Sequence, residues 1–221
     1  PALAIRKAAS NSRLILAEKL SLLFGNFEVI QLEALGFDEV VDFLNRQFPG
    51  LVFSELQKRF LIRMTDGNPA YLELLLDQLI LQGKSDSFEV SDELLFSVFC
   101  RELFGYKGRL ALMFEKRVDI CRRFAKDSSP YIRALLAISD GRRKLLGIAT
   151  YMERKIRETK KILQRLVQEE VIRKKGSFYL LKDYLFRFWL KHVFQKNHEE
   201  NLKVVLRQIF EELRLESSLD I

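Results

Sequence analysis

The stretch Ile156-Arg157-Glu158-Thr159-Lys160-Lys161-Ile162-Leu163-Gln164-Arg165-Leu166-Val167-Gln168-Glu169, continuing through Glu170-Val171-Ile172-Arg173-Lys174-Lys175-Gly176-Ser177-Phe178-Tyr179-Leu180, decides how this chain reads. Ile156, Thr159, Leu163, Leu166 and Val167 recur at helical spacing, which predicts one helix over 156–169. The pattern then changes. Val171-Ile172-Arg173 and Phe178-Tyr179-Leu180 bracket Lys174-Lys175-Gly176-Ser177, which predicts strand, turn and strand. Just upstream, Ser129-Pro130 opens a helix carrying Tyr131, Leu135, Leu136 and Ile138, stopped at Asp140-Gly141. A second short helix, 144–152, turns Leu145, Ile148 and Ala149 inward. Three helices followed by a hairpin is the order of a winged helix-turn-helix domain, which we place at 127–190.

Outward from this unit the chain stays helical. Phe37, Val40, Val41 and Leu44 share one helix face, with Asp38 and Glu39 early, where the helix dipole favours acids. Leu56, Phe60, Leu61 and Met64 predict a helix from Ser54. Gly67-Asn68-Pro69 interrupts, and Pro69 suits the first turn of the next helix, 70–81. Ser91 with Leu94, Leu95, Val98 and Phe99 opens another, and 110–124 carries one more. The expected class is mainly α, a helical lid-type domain at 36–126 preceding the winged helix with its small β-hairpin. The tail, 191–221, reads as one amphipathic helix. Phe27-Glu28-Val29-Ile30-Gln31-Leu32 alternates like a strand and is the single strand candidate in the first 170 residues; it places 1–35 as the end of another sheet domain.

The chain has 221 residues, 48% of them hydrophobic and 30% charged, with a net charge of +7. Ten Gly and four Pro argue against a turn-rich sandwich. No apolar run approaches the roughly eighteen residues of a membrane span, and Arg6 arrives too early for a signal sequence. Cys100 and Cys121 stand far apart without a CxxC, which predicts buried thiols in a cytoplasmic protein. Charge is uneven. Residues 1–100 hold 9 Lys/Arg against 14 Asp/Glu, whereas 141–182 hold 13 against 4. A front half that is acidic and a concentrated basic segment point to different partners.

In a helix-turn-helix unit the third helix enters the major groove. Its outward positions here are Arg157, Lys160, Lys161, Gln164 and Gln168, approached by Arg154 and Lys155. Arg173, Lys174 and Lys175 are expected at the wing tip. The lysines suit phosphates, while Arg157 and Gln164 have the bidentate geometry for base edges. Double-stranded DNA is therefore the expected partner. Zinc and triad chemistry are not expected. His192 and His198 are six residues apart, off a common helix face and without a nearby Cys. Glu211-Glu212 and Asp38-Glu39 suit solvated faces and helix starts better than acid–base work.

Phe24 to Val40, Thr65-Asp66-Gly67-Asn68-Pro69-Ala70-Tyr71-Leu72 and Phe178 to Leu190 lie in an order that resembles archaeal- and bacterial-type ATPases of the STAND branch of the AAA-plus superfamily. The resemblance implies that the first segment is the last core strand leading into the lid. It implies that Gly67, Asn68 and Pro69 are the GxP motif beside a bound adenine nucleotide, and that the third segment closes the winged helix. It implies ATP or ADP with Mg²⁺ in the intact protein and none bound to this chain alone. Asn26 stands where relatives carry an Arg, so no transition-state charge is expected from it. There is no GxxxxGK[ST] loop and no acidic strand end for Mg²⁺. An upstream nucleotide-binding domain and no ATPase activity of this chain alone are expected. Two alternatives stand beside this: a nucleotide-independent regulatory scaffold whose winged helix binds protein, and self-association through Leu202, Val205, Ile209 and Leu213 of the tail.

Overall fold

The computed structural model describes residues 34–83, 87–105, 107–122, 124, 127–195 and 199–219. The expected strand over 27–32, Asn26 and His198 lie outside them. The architecture is mainly α with a small β-hairpin.

Helix α1 (Phe37–Gln47) begins with the Gly36 N–H donating to Glu39 Oε2 at 2.8 Å. The chain then forms a two-residue strand, β1 (Leu51–Val52), and α2 (Glu55–Thr65). Ser54 and Gln57 cap α2 reciprocally, at 3.0 and 3.2 Å, satisfying two donors that the first turn leaves open. Asn68 Oδ1 accepts the Ala70 N–H and Pro69 takes the first position of α3 (Pro69–Gln82). Strand β2 (Phe88–Glu89) pairs in parallel with β1, and Ser91 caps α4 (Asp92–Phe104). The buried Gln57 amide spans this junction, donating to the Val90 carbonyl at 2.8 Å and to Asp92 Oδ1 at 2.6 Å. Helix α5 (Arg109–Arg122) opens on the buried Glu102 carboxylate, which accepts from the Arg109 N–H at 2.8 Å.

Next come α6 (Ser129–Ser139), α7 (Leu145–Met152) and α8 (Ile156–Gln168), then strands β3 (Arg173–Lys175) and β4 (Phe178–Leu180). The strands pair antiparallel, Lys174 opposite Tyr179, and Gly176 at φ 59° makes the turn. Asp183 caps α9 (Tyr184–Trp189), which passes into a π-helical turn at Leu190–Phe194 before α10 (Glu199–Leu219).

Four expectations need correction. The tail does not begin as the α-helix expected from 191: Leu190–Phe194 form a π-helical turn, with Leu190 and Val193 in the core beside α9. The parallel pair β1–β2 adds strand structure well before residue 170; two residues per strand are too few to alternate visibly. Strand β3 lies two residues later than expected, since Glu170 at φ 59° turns the chain and Ile172 is drawn into the core first. Helix α6 starts beyond Ser128, its Ser129 N–H held by Asp127 Oδ1 at 3.0 Å rather than by a Ser129 cap.

One contiguous cluster of buried side chains runs from Val40 to Leu213. Phe60 meets Phe96, Phe99 and Phe210 edge-on at 5.7, 5.4 and 5.4 Å, so α10 is sealed against α2 and α4. Leu202, Leu206, Phe210 and Leu213 are buried there. Leu202 and Leu213, expected to meet a second copy, are thus covered by the chain's own helices. Lys203 and Arg207 add ion pairs to Glu93 at 3.0 and 2.6 Å. Among the described residues no helix is long and apolar enough to cross a membrane.

Candidate nucleic-acid interface

The geometry of α8 follows from its sequence. Thr159, Ile162, Leu163 and Leu166 are buried against α6 and α7, which leaves the opposite side to Arg157, Lys160, Lys161, Gln164 and Gln168, all exposed. Ile156 departs from the expected inward face and is 50% exposed, because it sits at the first helical position, ahead of the packed turns. Arg154 and Lys155 lead into the helix. Arg154 is drawn to Glu158 at 3.6 Å and Arg165 to Glu169 at 2.7 Å. Among the described residues no acidic side chain lies within salt-bridge distance of Arg157, Lys160 or Lys161.

The hairpin divides its cations by the pleat. Side chains of successive strand residues point to opposite faces, and directly paired residues share one. Lys174 and its partner Tyr179 therefore face α8, and the Lys174 ammonium lies 5.9 Å from the Tyr179 ring. Between hairpin and helix runs a shallow groove of about 360 Å³ lined by Lys160, Gln164, Val167, Gln168, Lys174 and Tyr179. Arg173 and Lys175 point the other way. The expected tip cluster is thus not one cluster; the tip itself is Gly176-Ser177.

Sequence reading missed a third edge to this sheet. Lys144 bridges Phe178 in antiparallel fashion and the Tyr179 N–H donates to the Arg143 carbonyl at 2.8 Å. Arg142, Arg143 and Lys144, all exposed, stand beside the hairpin as a result. Their only sequence signal was the charge of the run; a one-residue bridge has no periodicity.

Three residues beyond β4, the unit is fastened to the rest of the molecule. Asp183 Oδ1 accepts the Phe186 N–H at 3.0 Å, and Oδ2 accepts from both the Tyr71 hydroxyl and the Arg117 guanidinium. Arg117 also donates to the Tyr71 oxygen at 2.7 Å and lies over the rings of Tyr71, Phe114 and Phe186 at 5.4–5.9 Å. Burial, then the Asp183 charge, pushes the Tyr71 phenol far above its ordinary value, so it stays protonated and donates. Trp189 Nε1 adds a bond to the Leu103 carbonyl at 3.0 Å.

Tyr71 is two residues past Pro69, so the same helix start carries the Gly67-Asn68-Pro69 turn. Gly67 has φ 63°, and a Cβ there would stand 2.0 Å from the Leu35 carbonyl oxygen. The Leu35 N–H donates to the Gly67 carbonyl at 2.9 Å. Gly67 is buried against the chain entering α1, whereas Asn68 is half-buried and Pro69 exposed. The turn and the basic interface are separate regions joined through Tyr71 and Asp183.

No protein-family model, no curated protein and no solved structure matches this chain.

Proposed function

We propose that residues 127–190 form a winged helix that binds double-stranded DNA, with α8 in the major groove and the hairpin on the flanking backbone. The observation that carries this reading is the exposed face of α8, where Arg157, Lys160, Lys161 and Gln164 line up opposite the buried Thr159, Leu163 and Leu166. Arg154, Lys155 and Lys174 extend the same positive surface, and Arg173 and Lys175 continue it beyond the hairpin. Lysine predominates, so most of the affinity comes from phosphates, with Arg157 and Gln164 as the base-reading side chains.

We propose further that the chain is the lid and winged-helix part of a STAND/AAA-plus ATPase. This rests on the ordered resemblance of three segments. In that setting the Gly67-Asn68-Pro69 turn lies beside the adenine nucleotide, ATP or ADP with Mg²⁺, held by a nucleotide-binding domain, with Asn68 and Pro69 as its accessible residues. The chain carries no phosphate loop, and hydrolysis is not proposed for it. A second reading, a regulatory scaffold whose winged helix binds protein, is favoured by two apolar side chains on α7 and α8, Leu146 at 64% and Ile156 at 50% exposure.

Replacing Lys160, Lys161, Lys174 and Lys175 together with Ala tests the DNA reading. Duplex affinity falls at least about tenfold at low salt while the thermal melt is unchanged, because all four side chains are exposed. Unchanged affinity removes the groove model.

A further inference from the structure

The face of the hairpin turned away from α8 carries an exposed aromatic ring, Phe178, that the duplex reading does not use. Lys144, Phe178 and Lys175 are paired side by side, Lys175 through the β3–β4 ladder and Lys144 through its one-residue bridge, so their side chains project from the same face. Arg173, two residues from Lys175 on β3, joins them. At the centre of this row Phe178 is 42% exposed, with the Lys144 ammonium 5.7 Å from its ring centroid. A small sheet of this kind ordinarily shows polar side chains to water. Here an aromatic ring shares its face with three cations, and among the described residues none of the three is within salt-bridge distance of an acidic side chain.

We propose that this outer face is a second nucleic-acid site, distinct from the α8 groove, which takes an unpaired base and its phosphates. The proposal rests on the reading of the winged helix as a DNA binder and extends it from duplex to a duplex–single-strand junction. Phe178 stacks on the base, a contact that every base can make, while Lys144, Lys175 and Arg173 neutralise the phosphates on either side. The pleat supports the division of labour. Lys174 and Tyr179 serve the groove next to α8, and the alternate residues serve the opposite face. Charge complementarity selects the occupant: the three cations suit the regularly spaced phosphates of a nucleotide strand, and every nucleotide also carries a planar base for Phe178. The short turn at Gly176-Ser177 leaves the row open at its outer end.

The test compares a blunt DNA duplex with the same duplex carrying a short 3′ or 5′ single-stranded extension, with 5-iododeoxyuridine in the extension for photocrosslinking. The expected result is about tenfold tighter binding of the extended duplex and a crosslink mapped to Phe178. Phe178→Ala abolishes that preference and leaves blunt-duplex affinity unchanged, and Phe178→Trp restores it. Circular dichroism melts of both variants report whether the hairpin is intact. Equal affinity of the wild-type chain for both DNAs, with blunt-duplex binding present, overturns the second site and leaves the duplex reading standing. Binding of the extension without the duplex supports the outer face and defeats the major-groove reading. Binding of neither defeats both.

Discussion

Asp183→Ala removes one carboxylate that serves three partners, and its cost follows from them. Losing the cap on the Phe186 N–H costs about 1 kcal/mol. The buried Tyr71 O–H loses its acceptor while its oxygen keeps the Arg117 bond, which costs about 1 kcal/mol more. The Arg117 pair counts for less than a fully buried one. The Arg117 side chain is 36% exposed against 18% for Asp183, so water stabilises the abandoned guanidinium, and about 1–2 kcal/mol is the appropriate share. The loss should total about 3–4 kcal/mol. Asp183→Asn keeps an oxygen for the Phe186 N–H and should lose about 2 kcal/mol. Urea denaturation followed by circular dichroism measures both, and a cycle with Tyr71→Phe should show a coupling of about 1 kcal/mol. A loss below about 1 kcal/mol for Asp183→Ala would refute the reasoning. An Asn variant as damaged as the Ala one would show that the cap contributes nothing.

Gly67→Ala forces a side chain into the left-handed region, costing about 1–2 kcal/mol, and drives its Cβ onto the Leu35 carbonyl. The thermal melt should fall by several degrees, and an unchanged melt would contradict the close approach. Hydrogen bonds from Lys203 and then Arg207 hold the Glu93 carboxyl below its usual value of 4.5. The folded chain therefore binds that proton less readily than the unfolded chain. Its stabilising contribution is complete above about pH 4.5 and is lost as the pH falls through the lowered value. The stability difference between wild type and Glu93→Gln should shrink from pH 6 to pH 3 in urea titrations; a difference independent of pH would contradict the account.

What the sequence disclosed depended on how local each signal was. Helices α2, α3 and α4 were legible because their starts are written in neighbouring residues: Ser54 with Gln57, Asn68 with Pro69, Ser91 with Leu94. The exposed face of α8 was legible from its 3.6-residue period, Ile156 apart. The π turn that opens the tail was not, because Phe186, Trp189, Leu190 and Val193 continue an apolar pattern that also suits α10; only Asp183, a cap without an obvious helix, hinted at the separate α9. Strand β3 is Arg-Lys-Lys, with little intrinsic preference for a strand, and it forms because Tyr179 and Leu180 across from it anchor the hairpin. The β1–β2 pair and the Lys144–Phe178 bridge join residues more than thirty positions apart, and no local pattern announces such pairings. For the same reason the outer row around Phe178 became visible only in three dimensions. The Arg117 cluster joins α3, α5 and the start of α9, and none of its members was singled out by spacing.

Fluorescence-anisotropy titration of the chain with a generic DNA duplex, repeated across salt concentrations, tests the central claim most directly. Four to six phosphate contacts from α8 and the hairpin predict a slope of log affinity on log salt of roughly −4 to −5. No binding at low salt, or binding that salt leaves unchanged, would contradict the account and return the exposed lysines to the role of solvated surface.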